Sequence, residues 1–414
     1  MTTVLSGFYV KQYCLMSLIP ANSLGVYVSV PFCRSKCTYC NFASGVYPAG
    51  EHARYVDRLM ADLEGARTWA LQMGVDLPLG VDTVYLGGGT PSLLEPDLFQ
   101  RLFAALRSQF DVESDAEITV ECAPGQLADA TLAAMAAVGV NRVSLGVQSF
   151  IDKEAHETGR LHGRAIVMED LRRLRAAGIE NLNVDLIAGL PGQTFASWEE
   201  SLSALIDSGV PHASVYMLEV DEDSRLGREM LSGGVRYHAG LVPTDDAIAR
   251  MYERAIERLG EAGIEQYEIS NFARRGFASR HNLRYWERKP YLGVGLDASS
   301  ALRDSAGAEV LRAKTTDDLK SYLENSETAE TAWLSPDRQH EEAWFLGLRL
   351  NQGVKIAALE EEFGQERVRP ALDVAAKLAA DGLVASDQNR VYLTAKGRLL
   401  SNEVFQEFLG LVTA

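Results

Sequence analysis

The stretch YVSVPFCRSKCTYCNFAS, residues 27–44, decides the fold and most of the chemistry. Its three cysteines, Cys33, Cys37 and Cys40, follow an alternating apolar run in a C-x3-C-x2-C spacing. Three thiolates that close can occupy three corners of a [4Fe–4S] cube, whose full protein complement is four cysteines. One iron then stays open to a small molecule. A zinc knuckle, or three incidental buried thiols, is the competing reading. Zinc takes four ligands, usually from paired C-x2-C or H-x3-H groups, and the sequence offers no second pair. The cluster is the stronger reading.

The composition frames that motif. Five cysteines in 414 residues are too few for a disulfide framework, and a thiolate cluster requires a reducing compartment. A cytoplasmic location is therefore expected. Cys14 and Cys122 stand alone and read as ordinary small residues. The net charge of −17 comes with no basic run, which argues against nonspecific binding to nucleic acid or anionic membranes. No apolar run reaches the ~20 residues of a membrane span. The opening MTTVLSGFYVKQYCLMSLIPANSL has no signal-peptide h-region or cleavage site. It reads as a loose extension over residues 1–24, with Met16 as an alternative start.

From Gly25 the chain alternates short β-branched runs with longer helical stretches, the pattern of βαβ units on a parallel sheet. Strands are expected at Val26–Val30, Thr83–Leu86, Ile118–Glu121, Arg142–Val147, Asn183–Ile187, Ser214–Leu218 and Gln266–Ile269. Apolar residues at i, i+3, i+4 spacing predict helices over Tyr55–Leu71, Leu98–Phe110, Leu127–Val138, Arg164–Ala177, Trp198–Asp207 and Ala247–Ala262. The α/β fold expected is an incomplete (βα)6 barrel over residues 25–300. Function in such barrels gathers at the C-terminal strand ends, where the cysteine loop begins. Residues 301–414 read as a separate helical, winged-helix-like domain. It would comprise helices Ser335–Leu350, Ile356–Phe363 and Val368–Asp381, a hairpin in GLVASDQNRVYLT, and a last helix Lys396–Leu409. Glu360, Glu361, Glu362 and Glu366 make a DNA-binding role there poor, so a lid or dimerisation role is expected.

Polar groups recur at the strand ends. Gly87, Gly88 and Gly89 in TVYLGGGTPSLL give a backbone turn that can approach a ligand, or a plain strand-end turn. Glu121, Gln148 and Asp185 end apolar strands. A buried charge without a partner is costly, so each either pairs within the barrel or faces a ligand. Arg160 in HETGRLHGRA is either the structural partner or a planar clamp on a carboxylate.

With LGGGTPSLL, GVNRVSLGVQSF, GRLH, VDLIAGLPGQT and YEISNFA, the cysteine stretch resembles the oxygen-independent coproporphyrinogen III oxidase group of the radical S-adenosylmethionine (SAM) superfamily. HNLRYW, residues 281–286, and the ending LTAKGRLLSNEVFQEFL are similar to its HemW-type heme chaperone branch. The resemblance spans about residues 25–410. It implies a [4Fe–4S] cluster on Cys33, Cys37 and Cys40, with SAM on the open iron. It implies SAM contacts from Tyr27, Gly88, Gly89, Thr90, Glu121, Gln148, Arg160 and Asp185, with Tyr39 beside the cluster. The oxidases carry a fourth cysteine where this chain has Phe42, and they lack H-N-x-x-Y-W. Both differences favour the chaperone branch, in which heme is bound and delivered to hemoproteins such as respiratory enzymes. An electron donor and a homodimer belong to the same expectation. His281 is the expected axial ligand of heme iron, against the plainer reading of a histidine packed on Tyr285 and Trp286. Two histidines usual in the group are absent: Ser29 stands in VSVPFC, and Ser299 in the run Gly295 to Ser300. The alternatives are a coproporphyrinogen III oxidase and a related radical-SAM methylase.

Overall fold

The computed structural model describes residues 23–324 and 330–411. Cys14, Met16 and nearly all of the expected N-terminal extension lie outside them.

Six parallel strands run side by side in chain order: β1 (Leu24–Val30), β2 (Gly80–Gly88), β3 (Asp111–Cys122), β4 (Arg142–Gln148), β5 (Asn181–Ala188) and β6 (His212–Met217). Each alternates with at least one helix, as the sequence pattern predicts. Successive strand residues point to opposite faces, and the sequence uses this consistently. Val84, Leu86, Ile118, Val120, Val143, Leu145 and Val184 are buried in the core together with helix residues such as Tyr55, Phe99 and Leu171. Their neighbours on the other face are polar: Tyr85, Thr119, Glu121, Ser144, Asn183, Asp185, Ser214 and Tyr216 line one cavity. The lumen is therefore polar and hydrogen-bonded, not an apolar plug.

The sheet is mixed and open. Beyond β6 lie β7 (Glu265–Gln266) and β8 (Asn271–Ala273), and β8 runs antiparallel to β6. The parallel strand expected at Gln266–Ile269 is thus reduced to two residues, because the chain turns back at once to pair Glu265 with Ala273. On the far side of β1, β9 (Tyr291–Val294) is parallel and β10 (Ser299–Arg303), β11 (Val310–Lys314) and β12 (Glu330–Leu334) are antiparallel. Among the described residues the twelve strands of this sheet end at β12 and β7 without closing. The expected break at residue 300 falls inside β10, and the first sheet continues to Leu334.

The C-terminal part has its own core of Trp344, Leu348, Leu359, Val368, Val391 and Phe408, in which Trp344 and Phe408 stack at 4.9 Å. Helices Pro336–Arg349, Ile356–Phe363 and Gln365–Ala380 precede β14 (Val384–Ser386) and β15 (Arg390–Leu393), and β13 (Val354–Lys355) adds a third strand. The last expected helix is two pieces, Ala395–Leu399 and Ser401–Gln406. Among the described residues no helix is long and apolar enough to cross a membrane.

Candidate functional site

The cysteine loop leaves the C-terminal end of β1 and is tied down on several sides. The Cys33 and Gly45 amides close its base on Gly45 and Pro31 carbonyls, each at 2.9 Å. The Thr38 amide donates to Thr158, and Lys36 Nζ caps the carbonyls of Phe42 and Ser44, both at 3.0 Å. Arg160 donates to Cys37 Sγ at 3.3 Å and also to the Gly146 carbonyl. A side chain at Gly146 would collide with that guanidinium. Thr90 Oγ1 lies 3.9 Å from Cys33 Sγ, and Ser44 Oγ lies 3.9 Å from Cys40 Sγ. All three cysteines are free. Burial pushes the Cys33 thiol up, and the charges of Cys40 and Cys37 push it further.

Those thiols ring one loop and do not point at one spot. Among the described residues, no three His, Cys, Asp or Glu side chains are placed to hold a single metal ion. A cubane, by contrast, takes its cysteines at separate corners. Three free thiols on one short loop, with a guanidinium already on one of them, suit a group that binds thiolates.

Next to the loop, the GGGTP segment is pinned to the end of β1. The Gly89 amide donates to Val30 O at 2.8 Å and the Thr90 amide to Phe32 O at 2.7 Å. A Cβ on Gly89 would fall 2.8 Å from Pro31 and Phe32 backbone atoms, and one on Gly87 would meet Tyr85 and Glu121. Gly88 has a φ of +97°, open mainly to glycine. These glycines are thus required first by contact within the protein, where the sequence suggested approach to a ligand.

Glu121 accepts from Tyr85 Oη at 2.8 Å. Burial pushes its carboxyl up to about 7, and the nearby Asp185 charge adds to this against the Tyr85 hydrogen bond. Asp185 is raised by burial too, although Ser144 at 3.1 Å and Asn183 at 2.7 Å donate to it. The buried Thr119 Oγ1, also on this cavity, has no hydrogen-bond partner among the described residues. These groups border a polar cavity of about 50 Å³, roomy enough for a few waters by the usual ~10–15 Å³ each. Two carboxylates and one guanidinium at a half-buried mouth suit a ligand carrying both signs of charge.

The structure therefore gathers Cys33, Cys37, Cys40, Tyr39, Gly88, Gly89, Thr90, Glu121, Gln148, Arg160 and Asp185 around the C-terminal strand ends. Gln148 holds a φ of +70° there, a backbone region few non-glycine residues occupy. Tyr27 sits one layer lower, stacked on Tyr85 at 6.1 Å. Sequence reasoning missed Tyr85, Ser144, Asn183 and Ser214, although the alternation that buries Val84 and Leu86 puts Tyr85 on the polar face.

His281 is the correction. It lies on the helix Arg280–Trp286, beneath Tyr85 and towards the N-terminal strand ends. Its Nδ1 meets Thr83 Oγ1 at 2.9 Å and its Nε2 meets Tyr285 Oη at 2.8 Å. Its amide donates to Glu117 at 3.0 Å. At 1% exposure, with both ring nitrogens taken, it presents no lone pair to an iron. Burial pushes it down to about 3. Arg284, in the same motif, reaches Asp82, Thr83, Ser23 and the Pro290 carbonyl. HNLRYW is a plug in the floor of the barrel.

The fold and the thiol loop define a radical-SAM protein. The Radical SAM superfamily model matches residues 27–205, and the HemN C-terminal domain matches residues 334–400. The chain is 34% identical over 385 residues to "Heme chaperone HemW" of Bacillus subtilis, covering 93% of this chain and 98% of that one. It is 33% identical over 386 residues to the Lactococcus lactis protein of the same name, covering 92% and 96%. Its fold is that of coproporphyrinogen III oxidase (HemN) from Escherichia coli, with a TM-score of 0.80 at 24% identity over 95% and 92% of the two chains. The chain belongs to the HemW family.

Proposed function

We propose that this protein is a radical-SAM heme chaperone of the cytoplasm. It holds a [4Fe–4S] cluster on Cys33, Cys37 and Cys40 and binds SAM beside it. Heme is its cargo, handed to recipient hemoproteins. The observation that carries the reading is the likeness to proteins named heme chaperone along more than nine-tenths of the chain. The exposed Phe42, 63% accessible, stands where the resemblance gives the oxidases a fourth cysteine, and so speaks against the oxidase.

The residues around the thiols have separable tasks. Arg160 neutralises Cys37 and holds the loop to β4. Glu121, supported by Tyr85, meets the ammonium of SAM. Asp185, oriented by Ser144 and Asn183, shares Arg160 with the loop. Tyr27, Tyr39, Gly88, Gly89, Thr90 and Gln148 complete the walls of the SAM site. When bound, the cluster supplies a low-potential electron to the SAM sulfonium.

Anaerobic reconstitution tests the reading. About four irons and four sulfides per chain are expected, with stoichiometric hemin binding and no decarboxylation of coproporphyrinogen III. Decarboxylation coupled to deoxyadenosine release, with no hemin bound, would replace this reading by the oxidase.

A further inference from the structure

With His281 sealed in the floor, the heme-binding histidine must be sought elsewhere. His52, His162, His212 and His340 are buried and hydrogen-bonded through at least one ring nitrogen. His156 is exposed on the short helix Asp152–Glu157, among Asp152, Lys153 and Glu157. His238 is different. The residue is half-buried, and its imidazole has no hydrogen-bond or ion-pair partner among the described residues.

The backbone around His238 is built with care. The residue sits at φ 60°, ψ 30°, a left-handed conformation sparsely populated outside glycine and kept only where surroundings enforce it. Here the buried Glu229 enforces it. Its two carboxylate oxygens accept from the Tyr237 amide, both at 2.9 Å, and one accepts from the Ala239 amide at 3.2 Å. The clamp thus grips the chain on both sides of His238 and leaves its side chain free.

The segment that carries His238 is apolar and cationic. The helix Arg225–Ser232 and the following loop expose Met230, Leu231 (68%), Val235 (87%) and Leu241. Exposed apolar side chains gathered on one segment mark a ligand or partner surface. Arg225, Arg228 and Arg236 lie on the same segment. The first two hydrogen-bond only backbone carbonyls, of Lys36 and Asp223, and Arg236 covers the Tyr237 ring at 5.4 Å. None has a carboxylate partner among the described residues, in a chain of net charge −17. The segment also adjoins the thiol loop: Leu226 N–H donates to Thr38 O at 2.9 Å, and Asn41 donates to Asp221 at 3.0 Å.

We propose that Arg225–Leu241 is the platform on which an iron porphyrin docks and that His238 is its axial ligand. The flat apolar ring lies on the exposed side chains. The two anionic propionates meet the guanidiniums that lack a carboxylate partner, and the imidazole binds the iron. This rests on the heme-carrying reading above and gives it a site.

The test is a titration of the full-length protein with hemin and, separately, with metal-free protoporphyrin IX. Asparagine accepts left-handed backbone but cannot replace imidazole on iron, so His238→Asn keeps the loop and removes the ligand. Hemin affinity should fall by about 10–100-fold, the range already seen for changes behind a metal ligand, and the Soret band should lose its ligation shift. Metal-free porphyrin should bind both proteins alike, and His156→Asn should match wild type throughout. Unchanged hemin affinity and spectrum in His238→Asn overturns the inference and leaves the chaperone reading standing. Equal loss of metal-free porphyrin overturns the ligation. Wild-type protein that binds no hemin overturns both readings.

Discussion

Replacing His281 by glutamine separates its structural role from a ligand role, and pH makes the separation quantitative. The imidazole joins Thr83 to Tyr285. Glutamine keeps at most one of these contacts, and a buried polar group left unpaired costs about 1–3 kcal/mol. His281→Gln should therefore lose about that much stability near pH 7.5. The sign of the pH effect follows from burial. The folded pKa is depressed to about 3 from 6.5, so the stability from a neutral buried imidazole is present above about 6.5. It drains away as pH falls through the window between those values, because only the unfolded chain takes up the proton. At about pH 5 the unfolded state gains roughly 1.5 pH units of proton binding, or about 2 kcal/mol. The variant lacks this penalty, so the gap between the two proteins should shrink by about 2 kcal/mol between about pH 7.5 and 5. Urea unfolding followed by circular dichroism measures both gaps, and all other titrating groups cancel in the difference. A gap independent of pH would refute the buried neutral imidazole. Loss of hemin binding at unchanged stability would restore the iron ligand.

Three further outcomes are expected. Alanine at Cys33, Cys37 or Cys40 should abolish iron binding on anaerobic reconstitution, whereas Cys122→Ala, in a buried position on β3, should retain it. Because Glu121 is pushed up to about 7, SAM affinity measured calorimetrically should rise between about pH 6 and 8 as the carboxylate ionises, and the rise should vanish in Glu121→Gln. Asp82→Ala strands the fully buried Arg284 charge and should cost about 3–5 kcal/mol, read as a lowered urea midpoint; a loss under about 1 kcal/mol would show that the ion pair matters little.

Much of this was legible in the chain because strand alternation writes both faces at once. In ITVE the buried Ile118 and Val120 predict a core strand, and Thr119 and Glu121 between them predict a polar lumen. The cysteine spacing is equally local, and the three thiols fall on one loop after β1, as the spacing suggests. What failed was long-range. The two-residue β7 and its return through β8 depend on the antiparallel turn after Gln266, which leaves no periodic trace. Strands β10 to β12 extend the first sheet beyond residue 300, and each is too short and too polar on its outer face to stand out. His238 was invisible for another reason. Its conformation is set by Glu229, nine residues earlier, and no spacing rule connects a buried carboxylate to two amides of a loop.

HNLRYW shows how a motif can be read correctly for kinship and wrongly for chemistry. Its histidine was expected to bind heme iron, with Tyr285 and Trp286 beside it. Each instead serves the floor of the barrel. Arg284 passes so close to Gly25 that a Cβ there would lie 2.4 Å from its side chain, which ties β1 to β2 through Asp82 and to β9 through Pro290. Tyr285 packs edge-on against Tyr291 of β9 at 4.7 Å. Trp286 lies under Arg349 at 4.3 Å and so meets the C-terminal helices. One seven-residue helix thus joins three strands and the C-terminal helices, which is reason enough for such a motif to mark a family. The thiol loop and the carboxylates lie at the opposite, open end, and there the helix Arg225–Ser232 meets the loop through the Leu226 amide and the Thr38 carbonyl.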